Sequence, residues 1–131
     1  MSASLQSNIP SLVKQMRSRA SRIVRRTAAA IEGDIKTGMS EPKSGRSYKR
    51  GKKRHTASAP GESPAIDRGD YVNTISAVPV DETTSAVGTN DERGPVLELG
   101  GGKTEARPHF APAFDRAREA FEQDVREIFE S

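Results

Sequence analysis

The sequence predicts an α+β fold in a single domain spanning residues 1–131. A long N-terminal helix and a C-terminal helix pack on a small antiparallel sheet, with a long basic loop between the first helix and the sheet. Three observations predict it. Apolar residues recur at helical spacing from Ile9 to Ile35, the stretch YVNTISAVPV alternates between two faces, and a second helical stripe runs from Phe114 to Phe129.

Met1–Ser7 is polar and reads as a frayed start. A helix over 9–38 follows, with Asn8 placed to cap it, Pro10 in its first turn and Gly38 placed to end it. Its apolar stripe is Ile9, Leu12, Val13, Met16, Ala20, Ile23, Val24, Ala28, Ile31 and Ile35. Its polar face carries Lys14, Arg17, Arg19, Arg22, Arg25 and Arg26, with no acid before Glu32. Cations in the N-terminal half of a helix oppose its dipole. The face is therefore either a solvated surface or one that meets DNA or an acidic neighbour.

Residues 40–70 read as a flexible basic loop: four glycines, three prolines and little that is apolar. Lys43, Arg46, Lys49, Arg50, Lys52, Lys53 and Arg54 cluster there with one aromatic, Tyr48. A solvated loop, an assembly contact and a nucleic-acid arm all fit that composition. Asp67–Asp70 has turn chemistry. Strands are expected over 71–99, at Tyr71–Val80, Thr83–Thr89 and Val96–Leu99, with Pro79 marking an edge or an end. Gly100–Gly102 breaks the last of them. A helix over 110–130 follows, with Pro112 in its first turn and its apolar residues on one face.

The net charge of +3 hides an asymmetry. Up to Arg54 there are 14 Lys and Arg against three acids; from His55 onward there are seven against 15. Such a division suits a molecule that meets a polyanion with one region, or one that associates with itself, basic end to acidic neighbour. A mean hydropathy of −0.71 and 33% hydrophobic residues limit the core to a small one. The longest apolar runs fall far short of a membrane span. No basic segment followed by an apolar one marks a secretory signal, and the absence of cysteine excludes disulfides and thiolate metal sites.

Catalysis finds little support, and no catalytic, cofactor or metal residue is assigned. His55 has no carboxylate nearby in sequence to orient it, and His109, beside Pro108 at a helix start, is expected to pack or hydrogen-bond there. Gly102-Lys103-Thr104 resembles the end of a phosphate-binding loop, but Leu97 stands where the first glycine belongs and Pro108 follows too soon for a long helix. The acids of the last helix form a solvated face, with Glu122 and Arg126 spaced for an ion pair. Arg107, between the glycines and Pro108, is held extended and is placed to grip a carboxylate of its own chain or of a neighbour.

Two segments carry a resemblance. Glu98-Leu99-Gly100 followed by Ala106-Arg107-Pro108 and Pro112 is similar to the motif of the bacteriophage head-to-tail joining family, the gene-product-ten-like neck or tail-completion proteins of long-tailed phages. SAPGESPAIDRGDYVNTISA (58–77) resembles the same family upstream; Leu99 stands where an aromatic is usual. The resemblance implies a structural virion protein of the neck, not an enzyme, without cofactor, assembled in the host cytoplasm. It implies a homo-oligomeric ring, hexamer or dodecamer, between the portal–adaptor complex or head-closure protein and the tail tube, with non-specific phage DNA in the lumen and no membrane. The resemblance also implies that residues 40–70 form a long hairpin or extended loop ordered by assembly, whose basic residues from Lys43 to Arg54, with Arg107, then face neighbouring subunits or the lumen. The alternative is a small, basic, sequence-independent nucleic-acid-binding protein.

Overall fold

The computed structural model describes residues 7–66 and 69–130. Met1–Gln6, Asp67, Arg68 and Ser131 lie outside them, as does the side chain of Arg50, so the frayed start and half of the Asp67–Asp70 turn have no structural account.

The first stripe forms α1 (Ile9–Ser40), with Pro10 in its first turn. Asn8 makes no side-chain cap; Ser7 supplies the oxygen instead, its Oγ accepting the Ile9 N–H at 3.2 Å. The helix runs past Gly38 and stops where Pro42 drives Glu41 into an extended conformation (φ −71°, ψ 156°). The expected basic loop contains a hairpin, β1 (Ser47–Arg50) paired antiparallel with β2 (Lys53–Thr56).

The strand expected from Tyr71 begins only at Ser76. Val72–Thr74 forms a 3₁₀ turn, closed by the Thr74 N–H to the Tyr71 carbonyl (2.9 Å) and by Thr74 Oγ1 to the same oxygen (2.6 Å). That turn sends both Tyr71 and Ile75 into the core. β3 (Ser76–Asp81) then pairs antiparallel with β4 (Thr84–Gly88). The pairing is irregular between Pro79 and Asp81, where proline has no N–H to donate.

The third expected strand, Val96–Leu99, is instead the end of a short helix, α2 (Arg93–Leu99). Asp91 nucleates it by accepting the Arg93 N–H at 2.9 Å, and Pro95 is tolerated in its first turn. Gly100 ends it with φ 79°, its N–H on the Val96 carbonyl. The second stripe forms α3 (Phe110–Glu130). The fold is thus α+β, with two small two-stranded antiparallel sheets in place of a single sheet.

The core gathers Ile31, Ile35 and Met39 of α1, Tyr71 and Ile75, and Ala113 of α3, with Leu97 and Phe110 packed against it. α1 and α3 are antiparallel, pinned by Arg26 to Asp124 (3.2 Å) and Asp34 to Arg116 (2.8 Å). Both pairs are largely exposed, so they set register more than they stabilise. Glu32 of α1 reaches β3, its Oε1 accepting the Ala77 N–H at 2.7 Å.

Candidate functional site

The basic segment is built as an arm. Its turn, Gly51-Lys52, has positive φ only at Gly51 (60°), the pattern of a type II′ hairpin. Its strands stand in the register Ser47–Thr56, Tyr48–His55, Lys49–Arg54 and Arg50–Lys53. Ser47 and Thr56 share a hydroxyl hydrogen bond (2.7 Å), and Tyr48 meets His55 edge to face at 5.3 Å. Beyond those two rungs, cation stands opposite cation twice, and like charges directly across a ladder destabilise it. Among the described residues no acid lies within ion-pair distance of Arg46, Lys49, Lys52, Lys53 or Arg54. This concentration of positive charge is available to a polyanion or an acidic surface.

The structure divides the predicted set. Lys43 is not part of the arm's free surface: its ammonium donates to the Gly38 carbonyl (2.7 Å) and Ser63 Oγ (2.8 Å), closing the end of α1. Among the described residues Arg107 grips no carboxylate. Its guanidinium donates to Ser58 Oγ (2.7 Å), the Ser58 carbonyl (3.3 Å) and the Glu105 carbonyl (2.9 Å). The Glu122–Arg126 pair gives way to Asp115–Arg118 at 3.0 Å.

The segments that carry the motifs meet at one junction. The Gly61 N–H donates to the Ala106 carbonyl (3.0 Å), and the Arg107 N–H to the Leu97 carbonyl (2.6 Å). Gly100 packs so closely that a Cβ there would lie 3.0 Å from the Ala106 nitrogen. Glu98 spans from α2 to α3, its Oε1 accepting the His109 and Phe110 N–H groups (2.9 and 2.8 Å) and its Oε2 that of Ala111 (3.1 Å). Pro108 holds the turn into α3. Glu62, which the sequence did not single out, accepts from the Ser44 and Ala59 N–H groups (3.1 and 2.8 Å) and ties the hairpin's two ends together.

His109 is buried, as expected of a packing role. Nδ1–H donates to the Arg107 carbonyl (2.8 Å), so Nε2 is the acceptor for the Tyr71 hydroxyl (2.6 Å). That is the arrangement of a neutral imidazole, with the Glu98 carboxylate 3.2 Å from Nδ1. Burial lowers the His109 pKa, against the Arg107 carbonyl and the nearby Glu98 carboxylate, which favour the cation. Burial pushes the Tyr71 hydroxyl up to about 12, with Glu98 and Asp91 adding to it. Burial also works to raise Glu98, but the three backbone N–H groups outweigh it and its pKa is lowered. Arg93, bonded through both guanidinium and backbone N–H, holds Asp91 at about 2.

These directions set a pH dependence. A depressed pKa in the fold means that the unfolded chain binds the proton first, so stability falls on acidification. His109 is expected to withdraw stability as pH drops from its ordinary 6.5 through its lower folded value. Glu98 and Glu32 do so below 4.5. Urea midpoints should therefore be level above about pH 7.5 and lower at pH 5.5, and His109→Gln should flatten that first step. An unchanged wild-type midpoint at pH 5.5 would rule out the neutral, buried histidine.

A cleft of about 510 Å³ lies beside the junction, lined among others by His55, Ser58, Asp70, Tyr71, Arg93 and Arg107. Both arginines are engaged within the chain, which makes them parts of the frame. Compared with known protein families, curated proteins and solved structures, the chain matches none of them.

Proposed function

We propose that this chain is a structural virion protein of the phage neck, a head–tail connector of the tail-completion or tail-terminator type. In this reading it forms a homo-oligomeric ring, hexamer or dodecamer, that joins the portal–adaptor complex or head-closure protein to the tail tube. Its support is the pair of motifs resembling the head-to-tail joining family. Separated in sequence by residues 78–97, they are bonded to each other through Gly61–Ala106 and Ser58–Arg107. The surface is in keeping with assembly: Ile9, Val78, Val80, Leu99 and Phe129 are all more than half exposed beside a small core. The basic arm contacts either acidic neighbours or DNA passing through the lumen, by phosphate contacts without sequence preference.

The deciding experiment is deletion of the gene in the source strain with immunogold electron microscopy of the particles. Gold at the head–tail junction, and separate heads and tails after deletion, are expected; normal unlabelled particles after deletion would overturn the proposal. A second reading, a small sequence-independent nucleic-acid-binding protein, is favoured by the cation-on-cation register of the hairpin alone. It requires the free protein to bind DNA with an affinity that falls steeply with salt.

A further inference from the structure

The ion pairs between α1 and α3 fix how far the helices overlap. Moving from Asp34 to Arg26 along α1 corresponds to moving from Arg116 to Asp124 along α3. The same register places Glu130, the end of α3, opposite Ala20. It leaves Ile9–Arg19, about 16 Å of helix at 1.5 Å per residue, running on beyond it. Side chains at the end of α3 reach back as far as Met16 and Val13. Past that point Ile9 and Leu12 continue the apolar stripe at 63% and 46% exposure, and neither lines the cleft that Val13 and Met16 share with the end of α3. Lys14 and Arg17 are exposed on this same stretch.

α3 carries the complementary surface. Phe114 (44% exposed) and the half-buried Phe121 lie two turns apart on the flank of α3 that borders α1 and β4. Ala28, Ile31, Val87, Phe114, Ala117 and Phe121 line an apolar cleft of about 320 Å³ between it, α1 and β4. Glu119 and Glu122 are exposed on α3, with no cation in ion-pair range among the described residues. The one cation on the cleft's rim, Arg118, is bonded to Asp115 at 3.0 Å.

We infer that the projecting end of α1 docks on the α3 flank that bears Phe114 and Phe121 in a second copy of this chain, with Ile9 and Leu12 against those two phenylalanines and Lys14 and Arg17 against Glu119 and Glu122. Charge selects this pairing over its symmetric rival. Two α1 ends laid against each other bring Lys14 and Arg17 of both copies together, which like-charge repulsion opposes. A contact between two different surfaces leaves each copy with one end to give and one flank to receive, so it propagates until it closes as a ring or continues as a filament. The inference deepens the proposed function, resting on its self-association and naming the surfaces that carry it.

The chain has no cysteine, so single-cysteine variants of the full protein report the contact directly. Leu12 and Phe114 are both exposed, and each variant carries one cysteine, so any bond forms between molecules. An oxidised mixture of L12C and F114C is expected to give the mixed disulfide in about tenfold excess over either homodimer. Leu12→Glu should turn the wild-type oligomer into monomer in sedimentation velocity while leaving the far-ultraviolet circular dichroism spectrum unchanged. Dominant L12C homodimers, an oligomer indifferent to Leu12→Glu, or a wild type that stays monomeric would each overturn the inference. None of these results bears on the deletion phenotype. Separate heads and tails with a monomer in solution remove the docking and keep the joining role, whereas normal particles with a Leu12-dependent oligomer do the reverse.

Discussion

Replacing Glu98 with alanine is expected to lower stability by about 3 kcal/mol, a fall in Tm of roughly 10 °C for a domain of this size. α3 begins after Arg107-Pro108-His109, none of which has the short oxygen-bearing side chain that caps a helix. The carboxylate comes from α2 instead and takes three successive backbone N–H groups, those of His109, Phe110 and Ala111. Those groups carry the positive end of the α3 dipole, so the charge contributes along with the hydrogen bonds. Alanine leaves all three donors without their acceptor, two of them partly buried. Glutamine keeps an acceptor but loses the charge, and about half the loss is expected from it. Thermal melts at pH 7.5, where the wild-type carboxylate is fully ionised, separate the two variants. A Glu98→Ala protein within about 0.5 kcal/mol of wild type would show that α3 does not depend on this cap.

The same residue shows where sequence reasoning stopped. Glu98 stood in the motif that carried the resemblance, yet the segment around it was expected as a strand. Four residues, Val96 to Leu99, with three of them apolar, have no period long enough to distinguish strand from helix. The contacts that decide it come from elsewhere: Asp91 holding the Arg93 N–H, Leu97 packing on the core, and the Arg107 N–H closing on the Leu97 carbonyl. α1 and α3 were legible because stripes of ten and more residues can satisfy only one periodicity. Pro42 and Pro112 punctuate them by removing N–H groups and fixing φ.

The hairpin was legible only through the resemblance, which offered a long hairpin or an extended loop there, since no apolar alternation marks β1 or β2; its one local signal was Gly51 between paired ring-bearing residues, Tyr48 and His55. Charge counting had a different blind spot. It found every cation from Lys43 to Arg54, and Arg107, but a count does not say what solvates a cation. Lys43 and Arg107 satisfy their donors on carbonyl and serine oxygens of their own chain, so of that predicted set only the cations of the arm are left exposed in a cluster.

What holds that arm in place can be tested without touching its charge. Gly45 lies where the hairpin's two ends close: its N–H donates to the Ala57 carbonyl and the Ala57 N–H to the Arg46 carbonyl, both at 3.0 Å. A Cβ at position 45 would fall 2.4 Å from the Ala57 carbonyl oxygen and 2.7 Å from that of Ser58. Both are backbone atoms, so one strand must move away. Ser58 is also the residue that Arg107 holds, which ties the displacement to the junction. Gly45→Ala is therefore expected to cost about 2–3 kcal/mol at the base of the arm. Most of that appears as local opening, because β1 and β2 add no residue to the hydrophobic core cluster. Hydrogen exchange at the Gly45 and Ala57 positions should speed up by roughly 100-fold, while amides in the middle of α1 and α3 keep their protection. Uniform acceleration across the chain would mean instead that the arm's base is part of the cooperative core. With all its cations retained, a Gly45→Ala protein whose Gly61 and Arg107 amides keep their protection separates the arm's position from its charge in any test of the proposed joining role, which charge-removing substitutions cannot do.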